Sequence, residues 1–174
     1  MASRTISTKM AITGQSEYQA SNTNINNSLK TLRSETAMLD AQYQGHANSL
    51  AALTAKGDVL ARTYEVQKTK VHESTAALEN AKKAQQEYST QVDQCSAKLA
   101  GAQAKLEELK KSTSDTSALQ AKLNAEVEKH QKALSAAEAG LQAATRGVNE
   151  WQQKLNYAQR DLANLDTEVT RNSK

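Results

Sequence analysis

The sequence predicts an all-α protein: an elongated coiled coil of long helices that follows a short strand-like segment at the N-terminus. One observation is the composition, because the 174-residue chain has no proline and no phenylalanine, and aromatic residues make up only 3% of it. A compact core needs large apolar side chains, whereas chains rich in Ala, Glu, Lys, Leu and Gln form long helices that bury a narrow stripe. The other two observations are an apolar repeat along most of the chain and a different pattern at its start. Together they make a compact enzyme the poorer interpretation, and we predict that the chain is not an enzyme.

The N-terminal segment, residues 1–15, alternates with a period of two. Ile6 and Ile12 fall on alternate positions with polar residues between them, which is typical of a short strand. A single strand cannot bury itself, so this segment must pair with another chain or a partner, or remain loose. A helix is expected to begin at Ser16, and the Asn- and Ser-rich residues 21–27 predict a weak or broken stretch within it.

The dominant pattern is an apolar repeat in steps of four and three residues, which runs from Ile25 to Val169 without an insertion. A repeat of 3.5 residues stays on one side of a helix only if helices supercoil around one another, so it predicts the seam of a left-handed coiled coil. Its layers are thin, because many of them carry Ala, Gln or Thr. We therefore expect either that the chain associates with copies of itself or that a surrounding wall holds it in order. We predict that the strongest members form an oligomer seam: Leu60, Tyr64, Val71, Leu78, Tyr88, Val92, Leu99, Leu106, Leu123, Val127, Leu134, Leu141, Val148, Trp151, Leu155, Leu162 and Leu165.

A possible break at residues 112–117 divides the coiled coil into a first helical region, 16–111, and a second, 118–174. Thr113 and Thr116 occupy seam positions there among Ser and Asp, which are poor helix formers. The preserved spacing favours a continuous helix, whereas the local composition favours a turn that folds the two regions into an antiparallel hairpin. Because the spacing of the apolar repeat is uninterrupted across residues 112–117, we expect the continuous helix.

Charge, hydropathy and cysteine content exclude several functional classes. The 22 basic and 19 acidic residues give a net charge of +3 and no concentrated basic stripe, so we predict no specific nucleic-acid site. No run of 18 apolar residues is present, so we predict no membrane span, and the N-terminus lacks the apolar centre of a signal peptide. The single cysteine, Cys95, lies on the apolar repeat and is expected to pack as a small hydrophobe in a chain made in the cytoplasm.

The residues that most often carry chemistry do not form a catalytic, cofactor or metal motif. His46, His72 and His130 are too far apart to make a helix-spaced ligand pair, and we interpret His46 and His130 as polar layers of the seam. Trp151 has two interpretations: a buried seam residue, which we favour, or an exposed docking residue for a partner. We therefore predict no catalytic residue, no cofactor and no metal.

Three segments, taken in order, resemble a known family. The first has a turn and an amphipathic helix, the second a coil with regularly placed Leu and Lys residues, and the third a segment that begins with a tryptophan. The residues that carry the resemblance are Gly14, Glu17, Tyr18, Ile25, Asn26, Leu29, Lys30, Leu32, Ser34 and Glu35, then Leu53, Lys56, Leu60, Glu65, Gln67, Lys68, Lys70 and Val71, and finally Trp151, Leu155, Asn156, Ala158, Leu162 and Leu165. Together with the non-helical start, this order resembles the N-terminal region of the tail tape measure proteins of long-tailed bacteriophages and prophages.

This resemblance implies a structural protein that lies extended inside the growing tail tube and sets the tail length. It implies two partners, the tail tube protein and the tail assembly chaperones. The apolar seam predicts a third partner, copies of the chain itself in a trimer or a similar homo-oligomer. The implied locations are the lumen of the tail in the virion and the host cytoplasm during assembly. Members of the family are longer than this chain and carry apolar or enzymatic segments further along, so we expect an N-terminal fragment or a shortened relative. The main alternative is a general coiled-coil adaptor or a secretion-apparatus component that binds partner helices; a helical pore-forming toxin ranks below it.

Overall fold

The computed structural model describes residues 15–111 and 117–172 of the chain. They form three helices, α1 (Gln15–Gln42), α2 (Leu50–Lys110) and α3 (Ser117–Asn172). The described residues are 95% helical and contain no strand, which confirms the prediction of an all-α protein. The predicted strand-like segment lies outside the described residues except for its last member, Gln15, and the predicted break lies outside them except for Ser117.

Helix α1 runs without interruption through the Asn- and Ser-rich residues 21–27, so the expectation of a broken helix there is wrong, and that of a weak helix stays a prediction. The hydroxyl of Thr23 donates a hydrogen bond to the carbonyl oxygen of Gln19 (2.8 Å), within the helix itself. Ile25 is buried at the centre of this stretch. Packing of an apolar side chain outweighs the low intrinsic helix propensity of its neighbours.

A turn at residues 43–49 divides the first predicted helical region, 16–111, into α1 and α2. Gly45 adopts a φ of +86°, a left-handed conformation that an L side chain rarely tolerates. Four residues later, the hydroxyl of Ser49 accepts a hydrogen bond from the backbone N–H of Ala52 (3.3 Å) and so caps the start of α2. The sequence indicates this turn by a glycine that is followed, four residues later, by a serine able to cap a helix.

The described residues belong to two compact units. The first, which we call the hairpin unit, consists of Ala81–Val148 and contains parts of α2 and α3. The second, which we call the three-helix unit, contains residues 15–80 and 149–172 and so includes all of α1 together with other parts of α2 and α3.

In the hairpin unit, the segments of α2 and α3 run antiparallel. The side chain of Gln85 donates a hydrogen bond to the hydroxyl of Thr145 (2.9 Å), and the ring of Tyr88 lies against Gly140, so residue numbers rise along one helix as they fall along the other. The expectation of one continuous helix is therefore wrong, and the antiparallel hairpin that the sequence left open is the arrangement found. Folding back covers the apolar stripe within the same chain at little entropic cost. The buried apolar side chains are Ala81, Leu99, Ala102, Leu123, Ala137 and Ala144.

In the three-helix unit, α1 and α2 also run antiparallel. Lys56 forms an ion pair with Asp40 (2.7 Å), and Arg62 donates a hydrogen bond to Glu35, so both links join the two helices across their exposed rims. Exposed pairs of this kind contribute about 0–1 kcal/mol each. The buried apolar side chains of the unit come from all three helices: Ile25, Leu32, Ala52, Val59, Ala77, Leu78, Trp151, Leu155 and Ala158.

Candidate interaction surfaces

The predicted oligomer seam is covered within the chain. None of its members is exposed: Leu78, Leu99, Leu123, Trp151 and Leu155 are buried, and the others are half-buried (Leu60, Tyr64, Val71, Tyr88, Val92, Leu106, Val127, Leu134, Leu141, Val148, Leu162 and Leu165). Their use in contacts between copies of the chain stays a prediction.

Trp151 lies inside the three-helix unit and is only 4% exposed. Its ring meets the ring of Tyr18 edge to face, with centroids 6.2 Å apart and planes inclined by 70°. The ammonium of Lys154 lies 4.1 Å from the centroid of the Trp151 ring and also pairs with Glu150 (3.0 Å). Trp151 is therefore a packing residue of this unit, and its roles in a seam between copies or in docking a partner stay predictions. Edge-to-face packing of this kind adds about 0.5–1.5 kcal/mol beyond the burial of area.

Tyr18 contributes a second contact that the sequence analysis did not foresee. Its hydroxyl accepts a hydrogen bond from the side-chain amide of Asn80 (2.8 Å), so one residue near the start of α1 contacts both α2 and α3. The amphipathic body of tyrosine suits this position, because the ring packs while the hydroxyl finds a polar partner.

A buried polar layer fixes how α2 and α3 align in the three-helix unit. Gln67 is 1% exposed, and its amide donates a hydrogen bond to the backbone carbonyl oxygen of Ala158 (2.9 Å). Ala158 is itself buried, and its small side chain leaves its carbonyl accessible to the glutamine. In the part of the chain that the structure describes, no buried side-chain nitrogen or oxygen lacks a hydrogen-bond partner. A slip of the helices would leave the amide unsatisfied at a cost of about 1–3 kcal/mol, so the layer favours one register.

A second apolar stripe on α2 was missed by the sequence analysis. Ala52 and Val59 are buried in the three-helix unit, although neither belongs to the predicted seam, and Val66, seven residues further on, is half-buried. These residues are spaced by one heptad and lie two positions beyond the seam residues of the same helix. A helix that is packed between two neighbours must bury two stripes, and the sevenfold spacing of Ala52, Val59 and Val66 is the signal that could have shown it.

An open groove with a volume of 630 Å³ lies between α1 and α2 in the three-helix unit. Leu32, Ala61 and Val66 line it together with the linked pair of Glu35 and Arg62. The remaining lining residues are polar: Ser28, Thr31 and Glu65.

The histidines and the cysteine do not converge on a site. His46 and His72 are exposed, His130 is half-buried, and Cys95 is a half-buried free thiol. Within residues 15–111 and 117–172, no group of three or more His, Cys, Asp or Glu residues is placed to hold a metal ion. Across the same ranges, no helix has a stretch both long and apolar enough to cross a bilayer.

The pKa of one carboxyl group in the hairpin unit, that of Glu107, is lowered. The ammonium of Lys110, in the last turn of α2, donates a hydrogen bond to Glu107 (2.7 Å). This hydrogen bond, the charge of Lys110 and the weaker field of Lys111 lower the pKa of Glu107, because each stabilises the charged form of the carboxylate.

Comparison with known proteins adds no further assignment, since no family model, no curated protein and no solved structure matches the chain.

Proposed function

We propose that the chain is the N-terminal coiled-coil part of a phage tail tape measure protein, which extends within the tail tube, sets tail length and scaffolds polymerisation of the tube protein. The observation that carries the proposal is the ordered resemblance of three segments to that family. Several residues on which the resemblance depends are also packing residues here: Leu32, Leu60, Gln67, Trp151 and Ala158. The proposal thus rests on positions that a helical assembly protein would need.

A ruler must have a length that is proportional to its number of residues. A single helix from Ile25 to Val169 would be ~215 Å long at ~1.5 Å per residue. Within each unit the helices lie side by side instead, so the same residues span a shorter distance. The proposal therefore requires the helices to separate during tail assembly, and the seam would then be covered by other copies in a coiled coil, as a trimer or a similar oligomer.

The partners and the location follow from the same proposal. The tail tube protein would surround the extended chain, and the assembly chaperones would bind it in the host cytoplasm before the tube forms. The virion tail lumen is its final location.

Deletion of matched heptads tests the proposal. Removing residues 92–105 from α2 together with 124–137 from α3 shortens both arms of the hairpin unit by two heptads and preserves the repeat. If each residue adds a helical rise, the tails should become shorter by ~42 Å, whereas a hairpin that persists in the tail would shorten them by ~21 Å. Tail length is measured by electron microscopy of particles made with the deleted and the full-length gene.

A substitution that keeps the number of residues is the control for this experiment. Gln94→Ala changes an exposed side chain and should leave tail length unchanged. Tails of normal length from the deleted gene, or tail particles that lack the chain, would contradict the proposal.

The second candidate is a coiled-coil adaptor or a secretion-apparatus component, and the groove between α1 and α2 favours it. Its apolar lining residues, Leu32, Ala61 and Val66, could contact the apolar face of an amphipathic partner helix. Neighbouring genes discriminate between the two candidates: tail tube and chaperone genes beside this gene favour the tape measure, and secretion genes favour the adaptor.

A further inference from the structure

The turn between α1 and α2 leaves large apolar side chains exposed. Leu50, the first residue of α2, is a position of the apolar repeat and yet is 83% exposed, and Met38, in the last two turns of α1, is 67% exposed. His46, another position of the repeat, is exposed within the turn. Most positions of the repeat along α1 and α2 are buried or half-buried, whereas His46, Leu50 and Leu53, within and just after the turn, are exposed.

The spacing of the repeat is preserved across this turn. Leu39 and Leu50 are eleven positions apart, which is about three turns of α-helix, so both would lie on one face if α1 and α2 were joined in a continuous helix. A hairpin does not require this relation, because a turn can join two helices in any rotational phase. The preserved phase is the one that a continuous helix through residues 43–49 would need.

We propose that two copies of this chain exchange α1. In the exchanged dimer, residues 43–49 join α1 and α2 into one helix, and α1 of each copy packs on α2 and α3 of the other. His46 and Leu50 of the two copies then meet at the centre of the dimer, where each covers apolar surface that the turn leaves exposed. The inference concerns the chain alone and does not depend on the tail function.

Charge complementarity supports a second copy as the occupant. Glu35 pairs with Arg62 and Asp40 pairs with Lys56 across α1 and α2, and exchange remakes both pairs between the copies. Every contact that α1 makes within one chain has the same counterpart in the partner, which is why exchange of an element is an easy route to a dimer.

Helix α1 is also the element that is easiest to release. Ile25 and Leu32 are the only buried apolar side chains in its described part, and both ion pairs lie at exposed rims. Gly45 is the only residue in the described ranges with a left-handed φ. The conformation of this glycine therefore holds the turn in its closed form.

The first test replaces the glycine of the turn. Gly45→Ala disfavours the left-handed conformation and favours helix, so it should raise the dimer association constant at least about tenfold. Gly101→Ala is the matched control, because Gly101 lies within α2 with open space around it and gains the same helix propensity without any turn. Sedimentation equilibrium measures both variants and the parent chain.

The second test changes the phase of the helix. Two alanines inserted between His46 and Ala47 of the Gly45→Ala chain rotate α1 by about 200° relative to α2 in a continuous helix, and should return the protein to a monomer. Insertion of one whole heptad at the same place restores the phase and should restore the dimer. A dimer that persists with two inserted alanines would overturn the proposal.

The third test identifies which helices are in contact. Chains with Glu35→Cys are mixed with chains with Arg62→Cys, both in a Cys95→Ser background, and treated with a short bis-maleimide at millimolar protein concentration. The exchanged dimer gives a covalent dimer that contains one chain of each kind. This test needs no change in the turn, so it decides the proposal even if Gly45→Ala fails to fold. Absence of the mixed covalent dimer at that concentration overturns the exchange. A Gly45→Ala dimer that yields no mixed covalent dimer overturns it as well.

Discussion

The hairpin unit and the three-helix unit use the same helix, α2, in two ways. In the hairpin unit α2 buries one stripe, and Gln94 and Gly101, the residues two positions beyond that stripe, are exposed. In the three-helix unit the residues at the equivalent heptad positions are buried or half-buried: Ala52, Val59, Val66, Glu73 and Asn80. The comparison teaches that the exposure of the residue two positions beyond a seam residue reports how many helices surround α2: this residue is exposed beside one neighbour and at least half-buried beside two.

The two units also differ in the size of the buried side chains. Four of the six buried residues of the hairpin unit are alanines: Ala81, Ala102, Ala137 and Ala144. The three-helix unit buries Trp151, Leu155, Leu78 and Ile25. Because burial of apolar area contributes about 25 cal/mol per Å², we expect large-to-small substitutions to cost most in the three-helix unit.

The largest expected effect comes from Trp151→Ala. This change removes the ring that packs against Tyr18 and lies beneath Lys154, and it should lower the free energy of unfolding by about 3–5 kcal/mol. Tyr157→Ala is the control, because this side chain is 58% exposed, and its effect should stay within about 1 kcal/mol. Urea unfolding followed by circular dichroism measures both, and equal losses would show that the tryptophan is not a core residue.

The next prediction compares the second stripe of α2, which is buried at Val59 in the three-helix unit, with the same heptad position in the hairpin unit. Val59→Gln places a polar amide between two helices and should lower the free energy of unfolding by about 2–3 kcal/mol, through lost burial and an unsatisfied group. Gln94→Val makes the reverse change at the equivalent heptad position of the hairpin unit and should alter stability by less than about 0.5 kcal/mol. The same denaturation experiment applies, and a large change at position 94 would mean that this stripe of the hairpin unit is also covered.

Much of this fold could be predicted from the sequence, because the apolar repeat directly dictates which face of each helix is buried. Leu78, Leu99, Leu123 and Leu155 are buried as the repeat indicates. The direction of the chain could not be obtained in this way. The same spacing is compatible with one long helix, with two antiparallel helices or with three packed helices. Only long-range contacts, such as the hydrogen bond of Gln85 with Thr145, distinguish these arrangements.

The candidate surfaces were harder to predict for a related reason. The partner of Trp151 is Tyr18, which lies far away in the sequence, and no local pattern pairs them. The groove beside Leu32 lies between α1 and α2, which are antiparallel neighbours only because the chain turns at residues 43–49. The heptad repeat continues through these residues and does not indicate the turn.

A third prediction concerns the hairpin unit and the close approach of α2 and α3. A Cβ atom at position 140 would lie 2.5 Å from the Tyr88 ring, so Gly140→Ala should lower the free energy of unfolding by about 1 kcal/mol despite its gain in helix propensity. Gly101→Ala meets open space and should raise it by about 0.5–1 kcal/mol. Thermal unfolding of the two alanine variants compares them. A second substitution, Tyr88→Ala, should remove the difference between positions 140 and 101, and a Gly140→Ala variant as stable as Gly101→Ala would show that the helices are further apart.

The smallest effect is a change of pKa at the end of α2 in the hairpin unit. Lys110→Ala removes both the hydrogen bond and the nearest positive charge, so the pKa of Glu107 should rise towards its ordinary value of 4.5. Lys111→Ala should raise it less, because Lys111 acts only through its charge, and Lys105→Ala should leave it unchanged. Since the folded-state pKa of Glu107 lies below the unfolded one, its contribution to stability is present above the unfolded value and is lost as the pH falls through the folded value. Titration of the Glu107 carboxyl resonance by NMR in the three variants measures the order, and a larger rise in Lys111→Ala than in Lys110→Ala would mean that the hydrogen bond from Lys110 is not the dominant cause.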